Sequence, residues 1–166
     1  MRNRILPLLC LLLVCVCAEG AVYGQGNVRT GPDPSTLRDP ELEKDSLHNL
    51  EVARNYFKLK KAYVAALKRL EEIIAGNPNF ARIEEVLLMA GQSSLWLADG
   101  KGKQARDQYV TFEGGAKHTL TAEQFREMGR DYLTRLVKDY PNGPFTKEAE
   151  EELRSLGTST AKETKP

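Results

Sequence analysis

The stretch ALKRLEEIIAGNP at residues 66–78 is written again, 63 residues later, as GRDYLTRLVKDYP at residues 129–141. Both read small-x-x-x-Leu-x-x-[Ile/Leu]-[Ile/Val]-x-x-x-Pro, with Ala66, Leu70, Ile73 and Pro78 in the first copy and Gly129, Leu133, Leu136 and Pro141 in the second. Apolar residues three and four apart share one face of a helix, so each copy predicts an amphipathic helix, and the proline ends it because it cannot donate the next backbone hydrogen bond. A helix with one apolar stripe must cover that stripe with neighbours, which makes repetition a packing requirement. The small residue of each copy is expected where two helices cross closely. Leu70/Leu133 and Ile73/Leu136 are expected in a shared core.

Before the first copy, Leu47, Leu50, Ala53 and Phe57 recur at helical steps, and Asp45 or Ser46 can cap the helix they imply. Lys60 and Lys61 stand where that stripe would continue, which predicts a turn. Gly76 is expected to take the left-handed cap that ends the next helix. A third helix is expected from about Arg82 to Ala98, with Gly91 as the small residue of the second unit. Thr121 opens a fourth helix, with Glu123 and Gln124 in its first turns, and a short last helix covers Phe145 to Leu156. No alternating strand pattern of useful length appears, so the fold class is all-α. The stretch 99–121, broken by Gly100, Gly102, Gly114 and Gly115, is long for a connection inside a compact domain and reads as a functional or disordered insertion.

The ends of the chain read differently. Arg2 and Arg4 precede ILPLLCLLLVCVC, too short for a membrane span of about 20 residues, and small residues follow, so residues 1–24 are expected to be a signal peptide. Residues 25–44, rich in Gly and Pro, read as a disordered tether, residues 45–156 as the folded domain, and residues 157–166 as a disordered polar tail. Cys10, Cys15 and Cys17 all lie in the apolar stretch, so cleavage at 20–25 leaves no disulfide framework. Two readings of Cys17 stand side by side: apolar filler in a cleaved signal, or a lipid attachment point like that of bacterial lipoproteins. Val16 precedes it, where such signals carry Gly, Ala or Ser.

With Lys+Arg at 24 against Asp+Glu at 23, the chain offers no general electrostatic reason to bind nucleic acid. No catalytic triad is readable, because His48 and His118 are the only histidines and read as solvent-facing polar residues. Glu71-Glu72, Glu84-Glu85 and Glu150-Glu151-Glu152 fall at helix-surface spacing beside Lys and Arg, the pattern of a solvated face. The run Gly114-Gly115-Ala116-Lys117-His118-Thr119 lacks the first glycine and the preceding strand of a phosphate loop. No metal or cofactor is expected, and the chain reads as a non-enzyme.

The proline-to-proline spacing resembles a tetratricopeptide repeat, whose period is 34 residues, with about two and a half units and the surplus carried mainly by the insertion. At finer grain, VARNYFKLKKAYVAALKRLEEIIAGNPNF, EEVLLMAGQSSLWL and YLTRLVKDYPNGPFTKEAEEELRSLG resemble the N-terminal repeats of BamD-type proteins, lipoproteins of the outer-membrane β-barrel assembly machinery. Arg54 stands where such repeats place a small residue. The resemblance implies a short right-handed solenoid of helical hairpins that binds other envelope proteins, the β-barrel assembly complex among them, on the periplasmic face of the outer membrane. It implies no nucleic acid, and membrane contact only through a lipid anchor. A second reading is a soluble periplasmic adaptor for cell-wall or secretion machinery on the same fold. Stacked hairpins form a groove suited to a peptide, and helical position makes Glu51, Asn55, Lys58, Gln92 and Leu95 the residues expected to line it. Glu51 and Leu88 replace the lysines of the carboxylate-clamping class, so capture of a peptide C-terminus is not expected.

Overall fold

Asp39-Pro40 begins the first helix. The Asp39 side chain accepts from the backbone N–H groups of Glu41 and Leu42 at 2.9 and 3.4 Å, and Pro40 occupies the first helical position, where its missing donor is harmless. A computed structural model describes residues 38–163; the expected signal peptide with Cys17, and residues 25–37 of the expected tether, lie outside the described residues. Helix α1 (Pro40–Arg54) thus starts inside the stretch read as tether, ahead of the Asp45 or Ser46 expected to cap it. Ser46 is instead buried and accepts from the Asn77 side-chain amide at 3.2 Å.

After Arg54 the helix widens into a π-helical turn, Asn55–Lys60, and stops at Lys61, whose φ of 51° is left-handed. The Lys60-Lys61 turn is therefore real. Helix α2 (Tyr63–Gly76) ends without a left-handed glycine: Gly76 is the last helical residue, and Asn77 takes the capping position with φ −141°. The Asn77 backbone N–H closes the last turn on the Ile73 carbonyl, and its side-chain amide donates to Glu43 and Ser46, tying the end of α2 to α1.

Helix α3 (Ile83–Ala98) is the centre of the molecule. Every residue from Val86 to Leu95 is buried, as befits a helix with neighbours on all sides. Helix α4 (Ala122–Asp139) opens on a complete capping box: the Thr121 hydroxyl accepts from the Gln124 N–H while the Gln124 side chain accepts from the Thr121 N–H. Helix α5 (Thr146–Glu163) runs past the expected Leu156, through Gly157 and into the expected tail. Consecutive helices pack on one another along the chain. The architecture is all-α: hairpins α1/α2 and α3/α4, closed by α5.

Leu70, Leu133 and Leu136 are fully buried and Ile73 nearly so, while Pro78 and Pro141 are exposed at the helix ends. Gly91 and Gly129 meet where α3 crosses α4. A Cβ on Gly91 would lie 2.7 Å from Leu133, and one on Gly129 would lie 2.8 Å from Leu95 and 3.0 Å from the Gly91 carbonyl. Ala66 is fully buried on α2. Phe57, Tyr63 and Trp96 form one aromatic cluster, with Phe57 stacked on Trp96 at 4.7 Å between ring centres. That cluster absorbs Tyr63 and Trp96 into the core, leaving Tyr56 half-buried at the surface.

The insertion departs from the strand-free expectation. It carries a 3-10 turn (Arg106–Gln108) and an antiparallel hairpin, β1 (Val110–Glu113) and β2 (Ala116–Thr119), with Val110 opposite Thr119. Gly114 and Gly115, both at positive φ, make the tight turn that joins the strands. Four-residue strands are too short to announce themselves by alternation.

Candidate functional site

The packing leaves the outer face of α1 open. Leu50, Ala53 and Phe57 turn inward, so residues one to two positions away from them along the helix turn out. Glu51 and Asn55 are exposed and line a shallow hollow of about 340 Å³ with His48, Val52, Tyr56 and Lys60. The Lys60 ammonium lies 4.9 Å from the centre of the Tyr56 ring, a cation over an aromatic face. Lys58 is also exposed but does not line the hollow. Its charge acts on Glu85 instead.

Gln92 and Leu95 are not in this open face. Both are buried: Gln92 donates to the carboxylates of Glu148 and Glu152 on α5, at 2.9 and 3.4 Å, and Leu95 packs against Gly129. The expectation that they line a groove is corrected by the helices that cover α3. The structure therefore brings Glu51 and Asn55 together and separates them from Gln92 and Leu95.

Two polar clusters tie the frame that presents α1. Arg54 makes a bidentate pair with Glu85 of α3, with both contacts at 2.7 Å, and Arg82 adds a third contact at 2.9 Å. Burial pushes the Glu85 carboxyl up. The Arg54 hydrogen bonds and the charges of Arg54, Arg82 and Lys58 outweigh it and hold the group below its ordinary value. Arg54, the residue that breaks the small-residue pattern, thus fastens the first hairpin to the second.

Glu71 on α2 forms the other cluster, accepting from the hydroxyls of Tyr109 at 2.7 Å and Tyr132 at 3.2 Å. Burial raises the Glu71 carboxyl above its usual value, against the two phenol hydrogen bonds that lower it. Burial and the Glu71 carboxylate together raise both phenols far above the working range. They donate and do not ionise. Tyr109 also packs edge-on against Phe125.

The same insertion grips the helix ends. The Gln104 side chain accepts from the Ala65 N–H near the start of α2, and Arg106 donates to the Ala98 carbonyl at the end of α3. None of these contacts was legible as a motif: those to Ala65 and Glu71 join residues far apart in sequence, and that of Arg106 to Ala98 has no fixed pattern. The only local signal was the positive-φ Gly102: a Cβ there would strike Tyr63 and the Lys61 carbonyl. On β1, just before the hairpin turn, the fold exposes Phe112.

No group of His, Cys, Asp and Glu among the described residues could hold a metal ion, and no helix among them is long and apolar enough to cross a membrane. A family model described as outer membrane lipoprotein, YfiO, matches residues 40–164, about three quarters of the chain. No curated protein and no solved structure matches it. The match starts at the first residue of α1 and runs past the end of α5, so it takes in both helical hairpins, the insertion and the closing helix. The chain belongs to the YfiO family of outer membrane lipoproteins, as its BamD-type resemblance implied.

Proposed function

We propose that the chain is a non-enzymatic protein-binding scaffold of the Gram-negative cell envelope that contributes to outer-membrane protein assembly. The observation that carries this reading is the open face of α1. Helix α3 is covered on all sides, whereas α1 keeps Glu51, Asn55, Tyr56 and Lys60 around a hollow that a peptide side chain can enter. Membership of an outer membrane lipoprotein family supports the compartment, and the BamD-type resemblance supports the assembly role. Cys17 is then the point of lipid attachment.

A photo-crosslinking residue at Asn55, compared in whole envelopes with the same residue at exposed Lys138 on α4, tests the reading. Crosslinks from position 55, and not from 138, to a component of the β-barrel assembly complex are the expected result. Crosslinks from position 55 to wall or secretion components would replace the assembly role with that of a periplasmic adaptor. Identical products from both positions would remove α1 as the binding face.

A further inference from the structure

The turn between α1 and α2 gathers lysines that the fold leaves uncompensated. Lys60 closes the π-helical turn and Lys61 adopts the left-handed conformation. The first residues of the insertion fold back onto them. The Lys103 N–H donates to the Lys61 carbonyl at 2.9 Å, and a Cβ on Gly102 would stand 2.7 Å from that same carbonyl. Backbone contact thus brings Lys60 and Lys61 alongside Lys101 and Lys103, some 40 residues away in sequence, and all four lysines are exposed. Among the described residues Lys60, Lys61 and Lys103 make no ion pair, while Lys101 is matched by Asp99 at 2.9 Å. On a chain whose formal charge is only +1, three unmatched lysines in one place are a strong local excess.

Leu59 stands beside them, 75% exposed, more than any other large apolar side chain described. An acidic protein would satisfy the lysines and leave the leucine without a purpose. A lipid–water interface satisfies both, with phosphates at the level of the ammonium groups and hydrocarbon just beneath. Lysine stems lie along such a boundary with their heads in the polar layer. We propose that this patch docks the folded domain on an anionic phospholipid surface, with Leu59 entering the headgroup boundary and Lys60, Lys61 and Lys103 on the phosphates. The contact is distinct from lipid attachment at Cys17; it borders the hollow on α1, with which it shares Lys60, while Leu59, Lys61 and Lys103 lie outside that hollow.

The test places an environment-sensitive fluorophore at Leu59→Cys in the full chain, with Cys10, Cys15 and Cys17 replaced by serine so that labelling is unique and no acyl chain can attach. Vesicles of phosphatidylcholine alone are compared with vesicles containing one-third phosphatidylglycerol. The expected result is a blue shift on the anionic vesicles only, reversed by high salt. Lys60→Gln, Lys61→Asn and Lys103→Gln should each weaken it about fivefold, and together roughly a hundredfold. Asparagine is used at position 61 because it tolerates the left-handed backbone, and circular dichroism checks that each variant is folded. Equal shifts on both vesicle types, or a shift that survives the triple substitution, would overturn the proposal. So would a shift produced by polyglutamate and not by vesicles, which would assign the patch to an acidic protein.

Discussion

Gly129→Ala is the smallest change that probes the crossing of α3 and α4. The added Cβ would lie 2.8 Å from Cγ and Cδ2 of Leu95 and 3.0 Å from the Gly91 carbonyl oxygen. Leu95 is buried, with little room to retreat, and the carbonyl belongs to the α3 backbone, which moves only if the helices separate. Two effects compete. Alanine is better than glycine inside a helix by about 1 kcal/mol, whereas overpacking a filled core costs about 1–3 kcal/mol. Overpacking wins, and the net loss is about 1 kcal/mol. Gly76→Ala supplies the control, because a Cβ there meets nothing within 4 Å.

Urea unfolding followed by helical circular dichroism reads both variants. The midpoint should fall for Gly129→Ala at unchanged slope, and should hold or rise for Gly76→Ala. Gly91→Ala brings its own Cβ to 2.7 Å from Leu133 and 3.3 Å from the Gly129 carbonyl. Both substitutions push the same two helices apart, so the double variant should lose less than the sum of the singles. A Gly129→Ala protein at least as stable as the wild type would refute the reasoning, since it would mean that the helices do not meet at backbone distance.

Tyr109→Phe removes the shorter of the two phenol bonds to a half-buried carboxylate, with an expected loss of about 1.5–3 kcal/mol and faster proteolytic cutting within residues 103–108; an unchanged cutting rate would show that the insertion is held by other contacts. Gly102→Ala places a side chain at φ +96° against Tyr63 and the Lys61 carbonyl, and should cost about 1–3 kcal/mol, a drop that thermal unfolding would detect. Glu85 has a folded-state pKa below its unfolded value near 4.5, so its contribution is full above that value and is lost as the pH falls through the lowered one. Glu71 is shifted the other way: the folded state takes up its proton first, so falling pH relieves a cost. Wild type should therefore exceed Glu85→Gln by about 1–3 kcal/mol at pH 7 and converge with it in acid, and a gap that persists at low pH would remove the Arg54–Glu85 charge pair as its cause.

The helices were legible because their signals are local. Leu70, Ile73, Leu133 and Leu136 repeat at helical steps, and Thr121 with Gln124 spells out a capping box within four residues. The start of α1 was also written in the chain, as Asp39-Pro40, but a Pro-rich neighbourhood made it read as tether. The groove residues failed for a different reason. Helical position says which way Gln92 and Leu95 point on α3, but not that α4 and α5 lie over them. The insertion was opaque because two of its contacts, Gln104 to Ala65 and Tyr109 to Glu71, pair a loop residue with a helix it does not adjoin in sequence, and the third, Arg106 to the Ala98 carbonyl, is a side-chain bond to backbone that follows no motif.

Those same contacts tie the described elements to one another across the stack. The stability of a stacked-hairpin protein is close to a sum of unit terms and interface terms, and two hairpins with a closing helix have few interfaces to add. The chain compensates by tying its elements across the stack. Arg54 and Glu85 join the first hairpin to the second, and Gln92 joins α3 to α5. Residues 101–109 run along α2 from the Lys61 carbonyl to Glu71, adding a tertiary brace where a longer solenoid would add another hairpin. The brace covers the start of α2 and the aromatic cluster beneath Gly102, and leaves the outer face of α1 and the lysine-bearing turn open. The insertion is thus better understood as the part that completes the fold, and the surfaces it leaves uncovered are those on which partner and membrane contacts should be sought.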